Sequence, residues 1–134
     1  MNKYILELDE EQLKLIQSAL DLRSRIQMGQ LEELVDHFNG PLRHLENEKL
    51  NNAKEKIQEV KEILFPELSG SAFYGIKNNS LPIESQRAYD MVQVIRREIA
   101  LKNKPQGGIT VNFDQPIRYS DKEFIKVSSL EDNS

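Results

Sequence analysis

Residues 81–102 read LPIESQRAYDMVQVIRREIALK, and we interpret this stretch as the longest well-specified helix in the second half of the chain. Pro82 suits the first turn of a helix, because the amide proton that proline lacks would be unpaired there. Apolar residues recur with the spacing of one helix face. They are Ala88, Met91, Val92, Ile95 and Ile99. The other face is polar, with Arg87, Asp90, Gln93, Arg96 and Arg97.

Length and charge limit the possible classes of protein. The chain has 134 residues, of which 38% are hydrophobic and 30% charged. We therefore expect a single domain over residues 1–134, with an acidic tail from about residue 128 that is frayed. The net charge of −4 argues against DNA as a partner, since bulk nucleic acid binding depends on neutralising phosphates. A local basic pocket for a small anion remains compatible with this charge.

The absence of cysteine excludes disulfides, a thiolate nucleophile and a cysteine-based zinc site. No apolar run approaches the length of a membrane span, and the N-terminus lacks a signal-peptide pattern. We therefore expect no membrane association and a cytoplasmic protein.

Three further helices are indicated before residue 65. Asp9 is a predicted N-cap with Gln12 at the capping-box position, and Gly29 is expected to bend or interrupt the helix that follows. The apolar pattern resumes after Gly29 and stops at residues 39–41, Asn-Gly-Pro. Residues 46–64 carry a narrow apolar stripe, typical of a surface helix or of half an interface between helices.

Alternating residues predict short strands at both ends of the chain, in residues 4–8, 109–113 and 117–120. The predicted fold class is therefore α+β: several helices with a small antiparallel sheet formed by the N-terminal and C-terminal segments. Residues 66–80 form a Gly/Ser/Asn-rich loop that contains aromatic side chains, and such loops are often functional or well packed.

No motif identifies a reaction. His37 and His44 match no metal-ligand spacing, and Ser18, Ser24 and Ser85 lack a nucleophile elbow. The carboxylates Glu32, Glu33, Asp36 and Asp90 are explained by solvated helix faces. No P-loop or dinucleotide-binding motif is present, so we expect no enzyme, no catalytic residue, no metal site and no cofactor.

The arginines are the more informative residues. Arg23, Arg25, Arg96 and Arg118 have apolar or aromatic neighbours in the sequence. Arginine suits bidentate phosphate recognition and stacking on planar rings, and tyrosines can supply a face on which a base stacks. The alternative is an ordinary ion pair with Asp21, Asp90 or Glu98.

Four segments together resemble the first Thoeris anti-defence family, the phage "sponge" proteins. They are LELDEEQLKLIQSALDLRSRIQMGQLEEL (6–34), FPELSGSAFYGI (65–76), AYDMVQVIRREIA (88–100) and GGITVNFDQPIRYSD (107–121). The resemblance covers most of the chain and consists of segment patterns rather than a catalytic signature.

The resemblance implies a protein that binds and sequesters a cyclic nucleotide immune signal, glycocyclic ADP-ribose, without cleaving it. Some members of that family also hold cyclic trinucleotides, and they assemble as homodimers or as hexamers. Their ligand lies between subunits, with arginines on its phosphates and an aromatic ring on its adenine. When the segments are matched, the resemblance implies that Arg25 and Arg118 bind the phosphates. Arg96 or Arg97 and Tyr89 are the next candidate ligand-binding residues, and the resemblance does not decide between Arg23 and Arg25.

Two other functions fit the sequence. Residues 46–64 could place their narrow stripe on a host protein, which would make this chain an adaptor or inhibitor. A small hydrolase with an unrecognised pair of carboxylates is the second alternative.

Overall fold

A computed structural model describes residues 1–38 and 44–130, and these residues form helices joined by irregular segments. The four α-helices are α1 (Glu10–Gln27), α2 (Glu33–Phe38), α3 (Asn47–Leu64) and α4 (Ile83–Asn103). A single 3₁₀ turn follows at Val111–Phe113. No β-strand occurs in the described ranges. The predicted stop at residues 39–41 and the last part of the acidic tail lie outside them.

The predicted α+β fold with its antiparallel sheet is therefore wrong. Residues 4–8 make no backbone hydrogen bond to another described segment, and Ile5 is almost fully exposed, at 99%. Residues 109–113 bend into the 3₁₀ turn instead of forming a strand, and residues 117–120 bind side chains of α4. Alternation favours a strand only where another strand pairs with its backbone, and here no such partner is present.

The chain divides into two compact units, which are described separately. Unit 1 is Met1–Asp21 with Arg87–Ser134, and unit 2 is Leu22–Gln86. The boundaries fall within α1 and within α4, so neither is a linker. Compact units of this size need not be separate domains, and the expected single domain stays a prediction.

The start of α1 confirms the predicted capping box. The Gln12 amide donates to the Asp9 carboxylate at 2.8 Å, and the Asp9 amide donates to the Gln12 side chain at 2.9 Å. Each side chain satisfies an amide that the first helical turn leaves without a partner.

Gly29 ends α1 rather than bending it. Its φ of +93° lies in the left-handed region, and a Cβ at this position would lie 2.6 Å from Leu68 Cδ1. The glycine therefore allows both the reversal of the chain after Gln27 and the close approach of Leu68. The interruption that the sequence predicted is confirmed.

Helix α4 is covered around its circumference. Ala88, Val92 and Ile95 of the predicted apolar face are buried, with 2–4% of their surface exposed. The face predicted to be polar is also covered, because every residue from Ser85 to Leu101 is buried or half-buried. A helix with an apolar stripe on one side only would leave its polar side in water. Other segments must therefore pack on the polar side of α4.

Candidate functional site

Residues 113–121, here called the strap, pack on the polar side of α4. They run antiparallel to it: contacts with Arg97, Gln93, Asp90 and Arg87 follow one another as the strap proceeds. These four helix positions fall within a band of about 120° around the helix axis, given about 100° per residue. The strap and this part of α4 both belong to unit 1.

Gln93 binds both backbone groups of one strap residue. Its Nε2 donates to the Ile117 carbonyl at 2.8 Å, and its Oε1 accepts from the Ile117 amide at 2.9 Å. The side-chain amide thus replaces the neighbouring strand that residues 117–120 were expected to have. Only 6% of Gln93 is exposed, so the side-chain ends of these two bonds are buried.

Asp90 holds the next part of the strap. One carboxylate oxygen accepts from the Tyr119 amide at 2.9 Å, and the other accepts from the Ser120 amide at 3.0 Å. Only 4% of Asp90 is exposed. A buried carboxylate is stable when charge-assisted hydrogen bonds replace its water, and two backbone amides do so here. Asp90 is therefore not part of the solvated helix face expected from the sequence, and the described residues contain no ion pair between it and an arginine.

Arginines of α4 hold the two ends of the strap. Arg97 Nε donates to the Phe113 carbonyl at 3.3 Å. Arg87 binds both carboxylate oxygens of Asp121, each at 2.8 Å. The hydrogen bonds from Arg87 lower the pKa of Asp121, and its positive charge adds to the effect. Both arginines thus have contacts within the protein.

Tyr89 and Tyr119 form the aromatic part of this region. Their ring centroids lie 5.9 Å apart with the planes tilted by 46°, an arrangement of two half-buried rings. Arg118 lies between Ile117 and Tyr119, is exposed, and has no ion-pair partner among the residues that the structure describes. The strap therefore presents a guanidinium next in sequence to a paired tyrosine ring.

Arg96 has a different environment from its neighbour Arg97. Its Nε is buried and has no hydrogen-bond partner within the described ranges. Buried polar atoms usually have a partner, and none of the described residues supplies one to this donor nitrogen. Arg96 lies in unit 1, together with Arg97, Arg118 and Tyr89.

The two remaining candidate arginines belong to unit 2. Arg25 is engaged within the protein, since its Nη1 lies 3.1 Å from Gln30 Oε1 and 3.3 Å from Glu33 Oε1. Arg23 is exposed and has no ion-pair partner in the described part of the chain. Of the two residues between which the sequence left the phosphate role undecided, Arg23 is the one with an unengaged guanidinium.

The loop at residues 66–80, also in unit 2, makes hydrogen bonds with residues before and after it in the sequence. The Tyr74 amide donates to the Met28 carbonyl at 2.9 Å, and Gln86 Nε2 donates to the Ile76 carbonyl at 2.9 Å. The Tyr74 hydroxyl donates to the Glu67 carboxylate, which lowers the pKa of Glu67 and raises that of Tyr74. The loop is thus held by hydrogen bonds at several points, although most of its residues are exposed.

Lys61 of α3 is the buried anchor of the same loop, with only 3% of its surface exposed. Its ammonium donates to the carbonyls of Gly70 at 2.9 Å and Ala72 at 2.6 Å. This role could not be recognised in the sequence, because Lys61 lies among other charged residues beside the apolar stripe.

Two serines and two histidines were also considered from the sequence as possible site residues. Ser24 and Ser85 are buried and donate to each other's backbone carbonyl. His37 and His44 are exposed, and the described residues contain no group of three side chains that could hold a metal ion.

Sequence reasoning missed Gln93 and Asp90 as the residues that hold the strap. One signal was available in the sequence. Both residues lie on the polar face of a helix, and the strand predicted at residues 117–120 directly follows Pro116, which has no amide to donate to a sheet. Helix periodicity alone could not distinguish a covered polar face from a solvated one.

Comparison with models of known protein families, with curated proteins and with solved structures found no match. The described residues also contain no helix of sufficient length and apolar character to cross a membrane.

Proposed function

We propose that the protein binds a cyclic nucleotide immune signal and sequesters it without cleavage, which would block Thoeris signalling. Glycocyclic ADP-ribose is the proposed ligand, with cyclic trinucleotides as further ligands. The proposal takes the signal's identity from the sequence resemblance. The observation that carries the binding role is Arg118, an exposed arginine without an ion-pair partner among the described residues, next to the Tyr119–Tyr89 ring pair.

This pair of features suits a ligand that joins phosphates to a planar base. A guanidinium binds phosphate oxygens through two parallel hydrogen bonds, and charge-assisted bonds of this type contribute about 1.5–3 kcal/mol each. A tyrosine ring offers a stacking face for adenine. Arg118 therefore takes a phosphate in our proposal, and the tyrosine pair takes the base.

Arg96 is the proposed second phosphate ligand. No hydrogen bond or ion pair joins Arg96 to another described residue, so its guanidinium is not committed to a partner that would compete with a phosphate. Arg97 already donates to the Phe113 carbonyl, so it is the weaker choice of the two adjacent arginines. Arg23 is preferred over Arg25 on the same argument, because Arg25 is paired with Glu33.

A sequestering protein needs affinity without turnover. The hydroxyls of Ser24 and Ser85 are engaged with backbone carbonyls, so neither serine is held by a general base. We further propose that the protein works in the cytoplasm of the infected bacterium as a homodimer or hexamer, as the resemblance implies.

A second candidate function is an adaptor or inhibitor that binds a host protein. It is favoured by the C-terminal half of α3, where Val60, Ile63 and Leu64 are 44%, 78% and 61% exposed. The buried side of α3 includes Leu50, Ile57 and Lys61, so the apolar stripe is only partly covered. Exposed apolar side chains grouped on one helix are typical of protein-binding surfaces.

The decisive experiment is native mass spectrometry with isomers of cyclic ADP-ribose and with cyclic trinucleotides, followed by denaturation and analysis of the released molecule. We expect whole ligand masses to be gained and then released unchanged. A changed ligand mass would indicate an enzyme. Absence of binding to every nucleotide would overturn the proposal and favour the adaptor.

Three variants distinguish the two candidate functions. Arg118→Ala should no longer bind the ligand but should keep its helical circular dichroism. Lys126→Ala removes an exposed cation from the same C-terminal segment and should still bind the ligand. For the adaptor, Ile63→Asp should abolish protection of a phage from a Thoeris-bearing host, while Arg118→Ala should have no effect. The reverse pattern is expected if the nucleotide proposal is correct.

A further inference from the structure

The contacts of Gln93 and Asp90 fix the register of the strap on α4. Gln93 uses both halves of its amide on Ile117, and Asp90 uses both oxygens on Tyr119 and Ser120. A shift of the strap by one residue would bring Pro116, which has no amide proton, or Arg118 to Gln93. Either shift would also move the amides that Asp90 accepts from, so four hydrogen bonds depend on one alignment.

The same alignment decides what the strap presents to solvent. Arg118 is exposed, whereas the next residue, Tyr119, is half-buried and has its ring against Tyr89. A slip by one position would therefore replace the exposed arginine by another side chain and separate the two tyrosine rings. The placement of the Arg118 guanidinium and the Tyr119 ring thus depends on Gln93 and Asp90. These two side chains bind backbone groups of the strap and contact neither the guanidinium nor the ring through a hydrogen bond.

We infer that Gln93 and Asp90 are positioning residues for a binding site that takes a phosphate on Arg118 and a planar base on the Tyr119–Tyr89 pair. This inference rests on the proposed function for the ligand and on the structure for the alignment. Asp90 has a second effect: its charge is engaged by two backbone amides, so it does not pair with Arg118. A carboxylate free to pair with Arg118 would compete with a phosphate.

The test uses the full chain and three variants. Gln93→Leu removes both bonds to Ile117 with a side chain of similar size. Asp90→Asn keeps one acceptor oxygen, and it tests the same inference if Gln93→Leu fails to fold. Gln86→Leu is the matched control, because it removes a glutamine–carbonyl bond of α4 to Ile76, in unit 2.

Three quantities are measured by NMR and calorimetry: the exchange rate of the Ile117 amide, the nuclear Overhauser contact between the Tyr89 and Tyr119 rings, and the affinity for glycocyclic ADP-ribose. In Gln93→Leu we expect Ile117 to exchange about tenfold faster or more, the ring contact to weaken, and the affinity to fall about tenfold, equivalent to about 1.4 kcal/mol. Asp90→Asn should change the ring contact and affinity in the same direction. Gln86→Leu should change none of the three.

The outcomes separate the inference from the proposed function. A ring contact and affinity that persist in Gln93→Leu and Asp90→Asn overturn the positioning role, whatever the exchange rate. Wild-type protein that binds no nucleotide overturns the proposed function. In that case the ring contact alone decides whether Gln93 and Asp90 position Tyr119, and its persistence in both variants overturns the inference too.

Discussion

Ser24 of α1 and Ser85 of α4 are both buried, and each donates its hydroxyl proton to the other's backbone carbonyl, at 3.0 and 3.1 Å. The two hydroxyl oxygens lie 3.4 Å apart. Such distances require the two helix backbones to approach closely, which only small side chains allow. Within unit 2, this serine pair therefore fixes where the end of α1 meets the start of α4.

We predict that Ser85→Leu destabilises the protein by about 1–3 kcal/mol, because a larger side chain must be inserted where Ser85 has no exposed surface. The measurement is urea unfolding followed by circular dichroism. Ser18→Leu is the control, because it makes the same change at an exposed position of α1 and should leave the midpoint nearly unchanged. Equal midpoints for the two variants would show that the helices are not closely packed at Ser85.

The helices could be predicted from the sequence because their signals are local. The Asp9–Gln12 capping box, the interruption at Gly29 and the stripe along residues 88–99 depend on residues within a few turns of one another. The strands could not be predicted correctly, because a strand depends on a distant partner. The backbone of residues 117–120 finds that partner in Asp90 and Gln93, which are helical side chains.

The binding role of the candidate arginines stays a prediction. The resemblance placed Arg25 and Arg118 first and Arg96 next; Arg25 is engaged with Glu33, whereas Arg118 and Arg96 make no ion pair with a described residue. The sequence could not separate them from Arg97, whose engagement depends on the Phe113 carbonyl. Nor could it show that the 3₁₀ turn folds the Phe113 ring against Gly108, where a Cβ would lie 2.7 Å from Phe113 Cε2.

Gly29→Ala should destabilise the protein by about 1–3 kcal/mol or more, since an alanine at φ +93° is strained and its Cβ would meet Leu68 Cδ1 at 2.6 Å. Gly107→Ala is the matched control: Gly107 has a φ of +80°, but a Cβ there would contact nothing within 4 Å. The loss of stability in Gly107→Ala should therefore come from backbone strain alone. Thermal unfolding of both variants tests the difference, and an equal loss would remove the contact with Leu68 from the explanation.

Lys61→Met should loosen residues 66–80, because it keeps the apolar stem of the side chain and removes the ammonium that holds Gly70 and Ala72. We expect a loss of about 1–3 kcal/mol in stability and faster amide exchange in the loop. Limited proteolysis and hydrogen exchange provide the measurement. Lys56→Met is the control, because Lys56 is exposed on the same helix and makes only a surface ion pair with Glu59. Similar behaviour of the two variants would contradict an anchoring role for Lys61.

The pair Arg87–Asp121 predicts how the end of the strap responds to acid. The Arg87 hydrogen bonds lower the pKa of Asp121 below its ordinary value of 3.8, so the pair contributes stability that is complete above that value and is lost as the pH falls through the lowered pKa. Carbon NMR titration of the Asp121 carboxyl group should therefore give a depressed pKa in wild type and a higher one in Arg87→Met. Arg118→Met is the control, because it removes a strap arginine that makes no ion pair with a described residue, and it should leave the pKa of Asp121 depressed. An Asp121 pKa that is equal in wild type and Arg87→Met would show that the two side chains are not paired in solution.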